Sequence, residues 1–395
     1  MTNYKAGGAK GPAILQVVPR LDTGGAERAT IEIAGALARG GFVPLVASQG
    51  GRMVAELEAA GGEWIAMPLD SKTPLALMAN ARTLRRLIRA REVKLVHARS
   101  RAPAWSALWA VRKERIPFVT TFHGAYSAGS AIKRLTNSVM LRGDAVIANS
   151  QWTAEHIRST YSLQPKTLAI IPRGVDLDEF DPARVPRARV NRLRDSWGVR
   201  EGETVILLPG RITRWKGQLV FVDALARLAR NGVAQPIRAV LAGDVQGRNA
   251  YAAEVKRKIE REGLADVVTM AGHVQDMPAA YLAADIVVSA STEPEAFGRV
   301  AAEASAMERA VIATDHGGAR ETILPEISGI LVPPGDAGAL AAALAQLMRA
   351  GPEARSAMRA QGRSHIARHF NLDRMTSDTL ALYRELLLAT GIKGA

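Results

Sequence analysis

The sequence predicts an α/β protein built from two doubly wound parallel-sheet halves. Three observations carry that prediction. Short apolar runs rich in β-branched residues alternate with amphipathic or alanine-rich stretches along most of the 395 residues, and that rhythm gives parallel strands covered on both faces. The alternation pauses over a charged stretch at 176–195 that contains Pro182 and Pro186, then restarts. Length agrees, since chains beyond roughly 250 residues divide into domains.

In the first half, strands are expected at 13–18, 42–48, 63–67, 94–97, 117–121, 145–148 and 168–171, with helices at 26–39, 53–60, 74–89, 102–113 and 152–160. The stretch 74–89 is amphipathic, Leu75, Met78, Leu84, Leu87 and Ile88 opposing Arg82, Arg85, Arg86 and Arg89. In the second half, strands are expected at 204–208, 238–242, 267–270, 285–289, 310–313 and 330–332, with helices at 218–230, 250–262 and 298–307. Taking 176–195 as a linker gives domains at 1–185 and 186–375, with a last helix at 376–390 placed to reach back to the first. No fixed period relates the halves.

Composition narrows the chemistry. The chain has no cysteine, so it has no disulfide framework, no thiolate nucleophile and no cysteine-type zinc site. The first 13 residues lack the apolar core of a signal peptide, and no run approaches the ~18 apolar residues of a membrane span. A cytoplasmic protein is the expectation. The net charge of +14 is uneven: the span 72–142 holds 15 basic residues against Glu92 and Glu114. Such a block suits nucleic acid, an anionic membrane or an anionic substrate, or is a solvated surface. It has no interleaved aromatics and no nucleic-acid motif, which argues against a nucleic-acid partner.

The candidate functional residues fall beyond the carboxyl ends of expected strands, where open α/β sheets bind ligands. Glu295 lies in the loop before the 298–307 helix and Glu303 inside it. Eight residues of helix would rise about 12 Å, too wide for two carboxylates sharing one bond and suited to holding two ends of one ligand. Otherwise the pair is a helix-start charge and a solvated face residue. The N–H groups around Phe297, Gly298 and Arg299 form a helix start that favours anions. Gly210, Arg211 and Lys216 follow a strand and precede a helix, as a diphosphate site requires: arginine makes forked contacts and lysine a point charge. Gly24-Gly25 before a helix admits a phosphate close to the backbone or is a simple turn. His123 ends a strand and is followed by Gly124. His365 and His369 are four apart without the intervening glutamate of a metalloprotease helix and read as surface residues. Asp176-Leu177-Asp178 sits in the expected linker and is rejected as a metal clamp.

Taken in order, these residues resemble the retaining glycosyltransferases of family 4. The resemblance is carried by Gly-Gly-Ala-Glu-Arg at 24–28, His123-Gly124, Asn149-Ser150, Ile171-Pro172 through Asp176, Gly210-Arg211 with Lys216-Gly217, Glu295 through Glu303, and Gly317-Gly318 with Glu321. It implies the GT-B fold, two Rossmann-like domains facing each other across a cleft, with the acceptor on the first and a UDP- or GDP-sugar donor on the second. Arg211 and Lys216 would hold the donor diphosphate, backed by Gly25. Glu303 would take the ribose hydroxyls; Glu295, with the amides near Phe297 and Gly298, would take the transferred sugar; His123 would contact that sugar near the reacting carbon. No cofactor or metal is implied, and no carboxylate is placed as a nucleophile. The expected acceptor is a glycan or glycolipid of lipopolysaccharide or surface-polysaccharide synthesis; the charge of the span 72–142 suggests peripheral contact with the anionic inner membrane, the competing reading being an acceptor rich in phosphate or acidic sugar. Arg173 departs from the family, which commonly has asparagine there. The alternatives are a nucleotide-sugar epimerase or phosphorylase of similar architecture, or a basic binding protein without activity.

Overall fold

The computed structural model describes residues 11–22, 24–124, 126, 129–232 and 235–391. Residues 1–10, the main part of the stretch read as having no leader, and Thr23 of the expected glycine turn lie outside them. The chain divides into two units, 1–173 with 372–395, and 174–371.

The first unit holds a seven-stranded sheet: β1 (Ala13–Val17), β2 (Val43–Ser48), β3 (Glu63–Ala66), β4 (Val93–Ala98), β5 (Phe118–Phe122), β6 (Ala145–Ala148) and β7 (Leu168–Ile170). Its order is β3-β2-β1-β4-β5-β6-β7, every pairing parallel. The central strands are apolar without alternation because helices cover both faces. Leu15 and Val17 pack toward Leu84, Leu87 and Leu108, while Ile14 and Leu95 pack toward Ile33 and Leu37. Each fully buried aliphatic side chain of this kind contributes about 2 kcal/mol.

The second unit holds six strands: β8 (Thr204–Pro209), β9 (Ile237–Ala242), β10 (Val268–Gly272), β11 (Ile286–Ser289), β12 (Ala310–Thr314) and β13 (Ile330–Val332). Their order is β10-β9-β8-β11-β12-β13, again all parallel. In both sheets the strand order reverses beside the first strand of the unit, between β1 and β4 and between β8 and β11. These are the topological switch points at which doubly wound sheets present their ligand sites.

Two expectations about boundaries need correction. The division falls between Arg173 and Gly174 rather than after residue 185, because Val175, Phe180 and Val185 are buried in the core of the second unit. The stretch 176–195 is not a linker either, since Arg187–Ser196 is a helix. Arg189 binds Asp276 through two hydrogen bonds and Arg194 donates to the Ala283 carbonyl. At the other end, the helix Leu372–Ala389 belongs to the first unit. Met375, Leu380, Leu382, Tyr383 and Leu387 pack there with Ile14, Ile33 and Leu37.

Candidate active site

In the second unit the site grows from the switch point. The chain leaves β8 through Gly210 and returns at Gly217, whose φ is 75°; a Cβ on Gly217 would lie 1.8 Å from the Ala290 carbonyl oxygen. Only glycine allows that approach, and it docks the turn Arg214–Lys216 on the end of β11. Thr292 N–H donates to the Trp215 carbonyl at 2.7 Å. Lys216 Nζ therefore reaches Glu295 Oε1 at 2.7 Å, the two side chains 12% and 16% exposed. The Ser291 and Ser289 hydroxyls donate to the same carboxylate oxygen. Burial pushes the Glu295 carboxyl up, but the Lys216 ammonium and the hydroxyls outweigh it and hold the group below its ordinary value. From the other side, Gly318 N–H donates to the Glu295 carbonyl at 2.8 Å. A Cβ on Gly318 would fall 2.4 Å from Phe297 Cα, so the glycine pair after β12 packs directly on the 295–297 loop.

The helix Arg299–Ala306 begins after Gly298, which stands at φ 82° and supplies no side-chain cap. Glu303 is 7% exposed, not a solvated face residue. Its Oε2 accepts from the Tyr281 hydroxyl at 2.9 Å, and its Oε1 accepts from Arg299 Nε at 2.8 Å and from Arg299 Nη2. Phe297 is buried with its ring edge-on to Phe370, which leaves only its backbone for a ligand. Arg211 is exposed, and among the described residues no carboxylate lies within ion-pair distance of it. Arg214 on the same loop is held by Glu254.

Gly25 and His123 belong to the first unit. Gly25 opens the helix Gly25–Arg39, and its carbonyl accepts a hydrogen bond from Arg173 Nη1. Arg173 Nη2 lies 3.3 Å from Glu32, both side chains largely buried. The unusual arginine thus carries its own counter-charge. His123 follows β5 directly, and its Nε2 is buried without a partner among the described residues. Burial first, then the Arg99 and Arg173 guanidiniums, push its pKa well down, so the ring is neutral. Arg99 is 4% exposed and donates from Nε and Nη2 to Gln16 Oε1 at 3.0 and 2.5 Å. Beside it, His97 bonds the Tyr383 hydroxyl through Nδ1 and Thr121 Oγ1 through Nε2.

The structure therefore places Lys216 against Glu295, with Arg211 on the same loop and Glu303 behind on Tyr281 and Arg299. Sequence reasoning missed Tyr281, Arg299, Arg99 and His97. Only Arg299 carried a readable signal, four residues before Glu303 on one helix face. Asp176 Oδ1 accepts from the amides of Asp178 and Glu179, so the Asp-x-Asp pair forms a turn. His365 is not a free surface residue: its Nε2 donates to the Glu321 carbonyl. Among the described residues no group of three His, Asp or Glu side chains could hold a metal ion, and no helix is long and apolar enough to cross a membrane.

Two family models match the chain: Glycosyltransferase Family 4 over residues 23–179 and Glycosyl transferases group 1 over residues 190–365. A glycosyltransferase from Rickettsia africae is 36% identical and superimposes with a TM-score of 0.87 over 96% of this chain and 99% of its own. HepE from Anabaena, solved with UDP-glucose, is 25% identical with a TM-score of 0.81, covering 94% and 99%. Among curated relatives, the D-inositol 3-phosphate glycosyltransferase of Segniliparus rotundus is 32% identical over 63% of this chain. The chain spans about half the length of the curated relatives it matches, 54% in that case.

Proposed function

The chain belongs to glycosyltransferase family 4, with the GT-B fold, and from that premise we propose that it transfers a hexosyl group from a nucleotide sugar to a glycan or glycolipid acceptor, with retention and without a metal ion. One observation carries the reading. At the β8/β11 switch point a largely buried, charge-compensated Lys216–Glu295 pair stands beside the exposed Arg211. Arginine and lysine together bind a diphosphate and stabilise the charge that develops as it leaves, commonly the largest catalytic term. Lys216 exchanges its partner for a phosphate oxygen, and Glu295 becomes free to accept from sugar hydroxyls. Glu303, already an acceptor of three hydrogen bonds, takes the ribose hydroxyls. The amides of Phe297 and Gly298 meet the sugar. In the first unit Gly25 is assigned to the diphosphate and the neutral His123 to the transferred sugar.

The UDP-glucose complex of the Anabaena relative supports a UDP-sugar as the donor. Lipopolysaccharide or surface polysaccharide is the proposed destination, reached from the cytoplasmic side. A soluble phosphorylated acceptor is the second reading, favoured by the inositol phosphate in the names of the curated relatives. Donor screening tests the first step: a UDP-sugar should raise the melting temperature, since a ligand of the native state alone stabilises it. Product formed in excess chelator from an α-linked donor should be α-linked by its NMR coupling. A β-linked product, or activity that returns only with magnesium or manganese, overturns the mechanism.

A further inference from the structure

Glu303 holds more partners than a carboxylate receiving two ribose hydroxyls can keep. An ionised carboxylate offers about four acceptor sites, shared equally between its oxygens. Arg299 donates to Oε1 from Nε at 2.8 Å and again from Nη2, and the Tyr281 hydroxyl donates to Oε2 at 2.9 Å. Oε1 is thereby saturated and Oε2 half filled. Two ribose hydroxyls need one site more than is left, so one resident donor has to withdraw when the nucleotide enters.

The two donors are held differently. Arg299 is the first residue of the helix Arg299–Ala306, and its side chain is 36% exposed. Its guanidinium can turn into water without disturbing the core. Tyr281 is fully buried, its ring 6.1 Å from that of Phe180 and packed in one core with Ala301, Ala302 and Ile366. It stands on the short helix Met277–Ala283, whose start is capped by Asp276 accepting from the Ala279 N–H at 3.2 Å. Asp276 is in turn clamped by Arg189 at 2.7 and 2.5 Å, so the charged helix Arg187–Ser196 braces the support of Tyr281 from outside. Burial first, then the Glu303 carboxylate, push the phenol well above its ordinary value of 10.0. The hydroxyl keeps its proton and remains a donor.

We propose that Tyr281 is the positioning residue of the ribose subsite and that Arg299 is the partner exchanged for the ribose. The inference rests on the reading of Glu303 as the ribose acceptor. Tyr281 fixes Oε2 and with it the plane of the carboxylate. One ribose hydroxyl then donates to the vacant site on Oε2, and the other to Oε1 as Arg299 swings out. A carboxylate already oriented binds more tightly than one that must be ordered on binding. Arg299 serves the empty site instead, where it compensates a charge that would otherwise be buried alone.

Titration calorimetry with UDP, 2′-deoxy-UDP and 3′-deoxy-UDP tests the proposal on the full chain. The wild-type protein should prefer UDP to both deoxy analogues. Tyr281→Phe keeps the ring in its place and loses only the hydroxyl. It should weaken UDP about tenfold, the worth of one hydrogen bond to a charged group, and the deoxy analogues far less, so that the preference for UDP narrows. A tyrosine with a purely structural role would weaken all three ligands alike. Arg299→Leu, on the exposed side of the helix, should keep the full preference, and it tests the exchange even where Tyr281→Phe fails to fold. Equal weakening of all three ligands in Tyr281→Phe, or a preference lost in Arg299→Leu, overturns the proposal. A preference that survives in Glu303→Ala places the ribose elsewhere and overturns the reading of Glu303 itself, and the proposal with it.

Discussion

The two units suppress buried charge in opposite ways. In the second, each site carboxylate is matched by a cation and by hydroxyls: Glu295 by Lys216, Ser289 and Ser291, and Glu303 by Arg299 and Tyr281. In the first, two buried guanidiniums, Arg99 and Arg173, stand near one carboxylate, Glu32, and His123 avoids adding a further charge by staying neutral. Pairing is exchangeable, because an incoming anion can replace a partner. Exclusion of a proton is not exchangeable and depends on pH. In the proposed transfer the exchangeable Lys216–Glu295 pair meets the charged donor, and the neutral His123 meets an uncharged sugar.

The sharpest way to break the pairing is Lys216→Ala. It leaves Glu295 buried without its cation, a change that costs about 3 kcal/mol of stability, measurable by urea denaturation. It also removes the proposed diphosphate ligand, so turnover should fall about 100-fold or more. Adding Glu295→Gln should restore most of the stability and none of the turnover. If the double variant is no more stable than the single one, the pair does not neutralise charge as described.

A smaller effect separates the two carboxylates. Glu303→Ala should weaken UDP binding about tenfold, the worth of one charged hydrogen bond, whereas Glu295→Gln should leave UDP affinity within about twofold and lower turnover. Titration calorimetry with UDP decides it, and equal losses in both variants would remove the assignment of separate roles.

The smallest effect lies in the pH dependence of stability. For His123 the unfolded chain takes up a proton below its ordinary pKa of 6.5 and the folded chain does not, so stability falls as pH drops below about 6.5. Glu295 behaves differently: its contribution is fully present above 4.5 and is lost as pH falls toward its depressed folded value. Melting temperature against pH should therefore decline in two steps. His123→Gln should reduce the upper step, His97 and His156 supplying the remainder since burial lowers both. Glu295→Gln should leave the upper step intact, and a loss of that step would show that the two halves are coupled.

Most of the sheet architecture was legible in the sequence. Strands buried on both faces read as continuous apolar runs, and Ala13–Val17, Thr204–Pro209 and Ala310–Thr314 offered little else. What escaped was set by contacts distant in the chain. The helix Arg187–Ser196 looked like a linker because its residues are charged, yet its anchors, Asp276 and the Ala283 carbonyl, come more than 80 positions later. The Lys216–Glu295 contact follows from β11 lying beside β8, an adjacency no local pattern encodes. Tyr281 was invisible for the same reason: nothing near it in sequence announces a buried carboxylate. The glycines at 217 and 317–318 were readable as turns, but not as the points where one loop presses on another.

The helix Leu372–Ala389 has a consequence for how the protein is made. Its Tyr383 and Leu387 complete a core whose other side is laid down by Ile14 and Ile33, near the opposite end of the chain. During synthesis the first unit to emerge is thus the last to be finished. It must wait, with an apolar face open to water, while the whole of the second unit is translated. A chain stopping before Leu372 would keep the core of the second unit intact and leave the first unit unable to close.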